Sequence, residues 1–253
     1  MNGAGAVRGR MQRHWEALKS AALDVLFSRT CEGCGAAMTA EPGALCWDCR
    51  SQIRLVQVPF CERCGDPIAG TTSGPFECAG CRRTEPAFDW ARSAVRYDGV
   101  AKACIRRFKY NAGIWLEDEL TDWLEALWRT CPESVGAIEC LAAVPLYPKR
   151  QRERGYNQSA LLAAGLARRI GIPFRGGMLR RGKSTGTQTH LTAAQRVHNV
   201  KGVFSAPWPA RVRGVRVALV DDVMTTGATV NECARALKAA GAAAVVVLTV
   251  ARG

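Results

Sequence analysis

The residues best suited to chemistry lie in one stretch near the C-terminus, Val217-Ala-Leu-Val-Asp-Asp-Val-Met-Thr-Thr-Gly-Ala-Thr229. Val217 to Val220 predict a buried strand, and Asp221 and Asp222 sit at its C-terminal end. After Val223 and Met224, the loop Thr225, Thr226, Gly227, Ala228 and Thr229 opens a helix. Ligands of open α/β sheets bind at strand C-termini. Free N–H groups at a helix start, three threonine hydroxyls and Gly227 for close backbone approach make a cradle for phosphate. Adjacent carboxylates can accept hydrogen bonds from sugar hydroxyls or hold Mg²⁺ through water. Together they describe a ribose-5-phosphate site. The bland alternative is a helix-capping pair on an ordinary α/β domain.

The second chemical pattern is cysteine. Eight of the 12 cysteines form four C-x-x-C pairs: Cys31/Cys34, Cys46/Cys49, Cys61/Cys64 and Cys78/Cys81. Cys31-Glu-Gly-Cys-Gly35 recurs thirty residues later as Cys61-Glu-Arg-Cys-Gly65. In such turns backbone N–H groups point at the sulfurs, and the glycine tolerates a positive φ. Each repeat supplies four thiolates, enough to close one tetrahedral zinc site. The repeat favours sequential pairing; interleaved pairing would use the same cysteines. With four thiolates the ion has no open position, so both zincs are structural rather than catalytic. Segments this short depend on the metal to fold, so chelation is expected to unfold residues 31–81 and spare the rest. Cys104, Cys131, Cys140 and Cys233 lie in apolar surroundings and read as small hydrophobes.

Length and composition set the frame for these patterns. The chain has 253 residues, 48% apolar and 23% charged, which suits one large folded domain or two modest ones and excludes a wholly disordered chain. No apolar run is long enough for a membrane helix. The net charge is +13, and it is local: residues 141–216 hold 15 basic residues and a single acid, Glu153. Such concentration points to an anionic partner, phosphate or nucleic acid. Residues 1–30 lack the apolar core of a signal peptide. Trp15, Leu18, Ala22, Val25 and Leu26 instead mark an amphipathic helix that docks on its own protein, with a membrane-surface role as the minority reading. The expected location is cytoplasmic, with a peripheral place at the inner face of the membrane as that minority reading.

The chain therefore divides into an N-terminal helix over 1–29, a double zinc ribbon over 30–86 and an α/β domain over 87–253. Strands are predicted at 91–97, 140–145, 200–204, 215–220 and 244–250. Helices are predicted at 100–110, 116–129, 158–170 and 229–240, and a loop rich in Lys and Arg follows Pro145. Trp115, Trp123 and Trp128 read as helix core. Continuous apolar strands alternating with helices imply a parallel sheet covered on both faces.

The stretch around Asp221–Thr229 closely resembles the phosphoribosyl pyrophosphate (PRPP) loop of type I phosphoribosyltransferases. With Val144-Pro-Leu, Arg154-Gly-Tyr-Asn-Gln158, Lys109-Tyr110, Gln188 to Asn199 and the cysteine-rich N-terminus, the chain resembles the ComF family of competence-associated phosphoribosyltransferase-like proteins. The resemblance implies a type I phosphoribosyltransferase-like fold, with 87–135 as a hood-like part and 136–253 as core. It implies that Asp221 and Asp222 contact the ribose hydroxyls and act in catalysis, and that Val223 to Thr229 complete the PRPP site. Lys149, Arg150, Arg152 and Arg154 would meet pyrophosphate, and Lys183, Gln188 and Arg196 would belong to a lid. Two functions follow: a Mg²⁺-dependent phosphoribosyltransferase using PRPP, or a non-enzymatic competence factor. The latter would grip single-stranded DNA or proteins of the DNA-uptake machinery.

Overall fold

The computed structural model describes residues 29–38, 43–110, 113–131, 137–182 and 201–253. The expected N-terminal helix lies outside the described residues apart from Arg29, as do the expected lid residues Lys183, Gln188 and Arg196. The chain forms two compact units, residues 1–52 and 53–253.

The first unit contains a short hairpin of β1 (Arg29–Thr30) and β2 (Ala37–Met38), antiparallel, and a one-turn helix α1 (Trp47–Ser51). The second unit opens with the second cysteine repeat, where Phe60 bridges Pro67 and α2 (Ala79–Thr84) carries Cys81.

Next come β3 (Trp90–Arg96), α3 (Gly99–Tyr110), α4 (Glu117–Thr130), β4 (Cys140–Ala143), α5 (Pro148–Arg154) and α6 (Gln158–Ile170). A two-residue pair, β5 (Arg180–Arg181) with β6 (Phe204–Ser205), precedes β7 (Arg216–Met224), α7 (Ala228–Ala239) and β8 (Ala244–Arg252). The main sheet runs β3-β8-β7-β4, and every pairing in it is parallel.

Both faces of this sheet are covered, which is why its strands are apolar at consecutive positions. On one face Val230, Cys233, Ala234 and Leu237 of α7 pack into a core with Cys140, Ala142, Val217, Leu219, Val245 and Val247. Helices α4 and α6 pack on one another and on the sheet. The acidic face of α4 meets the basic end of α6: Arg168 pairs with Glu117 at 3.1 Å, and Arg169 reaches Asp118, Asp122 and Glu125. Two of the basic residues expected to face an anion therefore hold two helices together. No helix among the described residues is long and apolar enough to cross a membrane.

Three local expectations change. The basic segment after Pro145 is not a loop throughout but a helix, α5, with Pro148 in its first turn and Gly155 at φ 84° closing it. Its Lys-Arg-rich surface has no apolar stripe, so periodicity could not reveal it. β7 runs four residues past Val220, because β8 pairs with it through Asp221↔Thr249 and Met224↔Arg252. Trp123 is core as expected, but Trp115 is 54% exposed, with the Arg107 guanidinium over its ring.

Candidate functional site

The C-terminal ends of β4 and β7 lie side by side, Ala143 opposite Val220. The backbone N–H of Val144 donates to the Val220 carbonyl at 3.1 Å. The segment leading to α5 therefore leaves the sheet beside Asp221. Asn157, the N-cap of α6, donates through Nδ2 to the Val144 carbonyl at 3.1 Å and accepts from the Ser159 N–H at 3.1 Å. That cap sets Ser159, whose hydroxyl donates to Asp221 Oδ1 at 2.8 Å.

Asp221 and Asp222 are both buried, and adjacent buried carboxylates disfavour a double charge. Burial first, and then the Asp222 charge, raises Asp221 to about 7, against the opposing pull of Ser159 and Lys109. Lys109, at the end of α3, places Nζ 2.8 Å from Asp222 Oδ1. Burial works against its charge, but the two carboxylates raise it. The other oxygen, Asp222 Oδ2, is buried and has no hydrogen-bond partner among the described residues.

Beyond Met224 the chain turns through Thr225 and Thr226 to Gly227, the N-cap of α7, at φ 75°. A Cβ on Gly227 would meet only the flexible end of Met224, 2.8 Å from its Cε, so it is the left-handed backbone that favours glycine there. From the opposite side Arg252 donates to the carbonyls of Met224, at 2.9 Å, and Thr225. The loop thus presents the start of a helix beside two carboxylates, a geometry suited to phosphate and a polyol.

The four expected anion-binding residues separate. Lys149 and Arg152 project from α5 as exposed side chains. Arg154 is half-buried, donates to Gln158 Oε1 and lies 5.1 Å from the Tyr110 ring centre. Arg150 is half-buried, and its charge is felt by Arg181 of β5. Burial first, then the Arg150 charge, lowers Arg181, while Asp221 acts in the opposite sense.

The cysteines form two clusters. Cys31, Cys34, Cys46 and Cys49 have their sulfurs within 4.8 Å of one another, and so do Cys61, Cys64, Cys78 and Cys81. Pairing is sequential. Backbone N–H groups point at sulfur in both: Cys46 N and Gly33 N lie 3.3 and 3.4 Å from Cys31 Sγ, and Cys78 N lies 3.3 Å from Cys61 Sγ. Burial opposes ionisation of Cys31, yet the N–H groups of Cys46, Cys34 and Gly33 bring it down to about 6. Burial raises Cys64 to about 12. A tetrahedral Zn²⁺ would offset such burial by holding all four sulfurs as thiolates.

A double zinc ribbon domain matches residues 22–82, and a phosphoribosyl transferase domain matches residues 157–253. Competence protein F of Haemophilus influenzae is 33% identical over 233 residues, covering 89% of this chain and 98% of that protein. The chain belongs to the ComF family of competence proteins. Among its ComF relatives, the DNA utilization protein YhgH of Salmonella typhi is 32% identical, covering 85% of this chain and 99% of that protein. Competence protein ComFC of Bacillus subtilis is 27% identical, covering 79% and 80%.

In this ComF chain sequence reasoning assigned no particular site role to Lys109, Ser159, Arg181 or Arg252, although Lys109-Tyr110 is among the residues that carry the family resemblance. Ser159 is the most legible of them, because Asn157-Gln-Ser159 reads as a helix start. Lys109 and Arg181 sit in ordinary basic surroundings, and only the folded chain pairs Lys109 with Asp222.

Proposed function

We propose that this ComF protein binds PRPP with Mg²⁺ at the C-terminal ends of β4 and β7. The observation that carries the reading is the buried, unpartnered Oδ2 of Asp222 beside the start of α7. A buried carboxylate oxygen is costly to leave unpaired, and a ribose hydroxyl or a Mg²⁺-bound water would satisfy it. Asp221 and Asp222 would meet the ribose hydroxyls, and Val223 to Thr229 the 5-phosphate. Lys149, Arg150, Arg152 and Arg154 of α5 would meet the pyrophosphate. Mg²⁺ would supply further charge neutralisation for the pyrophosphate.

Calorimetric titration with PRPP and Mg²⁺ tests the reading. Binding to the wild-type protein, weakened by about 1–3 kcal/mol in Asp222→Asn, is expected. Equal or undetectable binding in both would reject it.

A second reading has its own support. Lys149 and Arg152 are exposed, and Tyr110, 67% exposed, sits beside Arg154. Exposed cations next to an aromatic ring suit single-stranded DNA, which would run across the same pocket. Relatives named for competence and DNA utilization fit that role. Competition between PRPP and a labelled oligonucleotide separates one shared pocket from two sites.

A further inference from the structure

The second zinc site and the phosphate loop meet in one side chain. Arg252, the last residue of β8, is 9% exposed, and its guanidinium faces two directions. Through Nη1 it donates to the carbonyls of Met224, at 2.9 Å, and Thr225. Through Nη2 it lies 3.1 Å from Asp66 Oδ1. The following residue adds a third hold on the same loop, since the Gly253 N–H donates to the Met224 carbonyl at 3.0 Å.

Asp66 in turn belongs to the turn around Cys61 and Cys64. Its carbonyl accepts the Cys61 N–H at 2.8 Å. The turn is fixed to the sheet at several points. Gly65 sits at φ 67° with the Ala91 carbonyl only 2.6 Å from where a Cβ would stand, so the backbones touch. Arg92 donates to the Glu62 carbonyl at 2.8 Å and to its carboxylate at 2.7 Å, and the Ala91 N–H donates to the Arg63 carbonyl at 2.8 Å. Asp66 is therefore held by a short chain of bonds from the zinc ligands on one side and Arg252 on the other.

We propose that Arg252 is a positioning residue through which the second zinc site, Cys61/Cys64/Cys78/Cys81, holds the Met224–Thr229 loop in its phosphate-binding shape. The proposal rests on the reading of that loop as the PRPP 5-phosphate site. The physical content is linkage. Zinc fixes the Cys61–Asp66 turn, Asp66 orients the guanidinium, and the guanidinium fixes the carbonyls that set the direction of the loop. If zinc favours the binding-competent loop, a ligand on the loop must favour zinc retention by the same factor. The first cluster, Cys31/Cys34/Cys46/Cys49, belongs to the unit of residues 1–52.

The test uses the full chain with both zincs bound. Asp66→Ala removes the carboxylate but keeps the backbone carbonyl that serves Cys61. The variant is expected to retain two zincs and to bind PRPP roughly threefold to tenfold more weakly, as for one partly exposed charged contact. Hydrogen exchange of the peptide spanning Met224–Thr229, measured without ligand, is expected to speed up. In the wild-type protein PRPP is expected to slow chelator-driven release of one of the two zincs. Unchanged loop exchange in Asp66→Ala, or two release phases both indifferent to PRPP, would overturn the coupling. Failure of the wild-type protein to bind PRPP would instead overturn the ligand assignment. The coupling would then stand or fall on loop exchange alone. Arg252→Lys provides the second variant: a Lys can pair with Asp66 but cannot span both carbonyls, so loop exchange should speed up with zinc content unchanged.

Discussion

Lys109 Nζ lies 2.8 Å from Asp222 Oδ1, joining the end of α3 to the end of β7 across a chain separation of 113 residues. Both groups are largely removed from water, the Lys109 side chain 17% exposed and that of Asp222 5%. A pair in such a place is strongly coupled, because removing one partner leaves a buried charge without compensation. Lys109→Met is therefore expected to lower stability by about 3 kcal/mol in denaturant unfolding. In an Asp222→Asn background the same substitution should cost clearly less, since the charge it leaves behind is gone. Equal losses in the two backgrounds would show that the pair is energetically idle.

The neighbouring carboxylate gives a pH prediction. Asp221 is raised to about 7 by burial and by the Asp222 charge, against Ser159 and Lys109. A carboxyl whose folded value exceeds its unfolded value stabilises the fold while protonated, and that stability is lost as pH rises through the folded value. Between pH 6 and 8 the ligand-free protein should lose about 1 kcal/mol from this group. Asp221→Asn should flatten that dependence. Thermal melting of both proteins over this range, where zinc stays bound, decides it. A wild-type curve that rises with pH relative to the variant would reverse the assignment.

The sequence carried the site's local part and missed its long-range part, for a physical reason. A strand, two carboxylates, hydroxyls and glycine are contiguous, so Asp221 to Thr229 could be read as one device. Gln158–Ile170 was legible from its apolar stripe, and the structure has the same bounds. Helix α5 was not, because Lys149, Arg150, Arg152 and Arg154 give no stripe to read. The roles of Lys109 and Arg252 were hidden for a different reason: what matters is which element lies beside which. β8 lies beside β7, which puts Arg252 next to Met224, and composition does not encode that order. Likewise, the charge concentration over 141–216 concealed that Arg168 and Arg169 face the acids of α4.

The two zinc sites should respond differently to loss of a ligand. Cys61, Cys64 and Cys81 are 0%, 6% and 4% exposed and belong to the same core as Phe88, Ala91 and the sheet. Cys61→Ser should therefore lower zinc content to about one per chain and also lower the melting temperature of the sheet unit. Cys34→Ser should remove one zinc and leave sheet melting nearly unchanged. This revises the expectation that chelation would unfold residues 31–81 alone. Metal analysis with circular dichroism melts on both variants makes the comparison. Identical melting losses would argue that the sites are equivalent.

The last prediction concerns which cations could meet a nucleic-acid backbone. Each phosphate neutralised on a single strand releases counterions, giving a logarithmic salt slope of about −0.7 per contact. Lys149 and Arg152 are exposed and Arg150 is half-buried on α5, and none of the three is ion-paired among the described residues, so they have positive charge to offer. Arg168 and Arg169 do not, because Glu117, Asp118, Asp122 and Glu125 already neutralise them. Changing Lys149, Arg150 and Arg152 together to Ala should flatten the salt dependence of oligonucleotide binding by up to about 2 units. Changing Arg168 and Arg169 to Ala should leave the slope alone and instead loosen α6 from α4, which appears as lost stability. Fluorescence anisotropy with a labelled oligonucleotide across a salt series reads both. A slope that falls equally in the two variants would mean that total charge, not its placement on α5, governs the interaction.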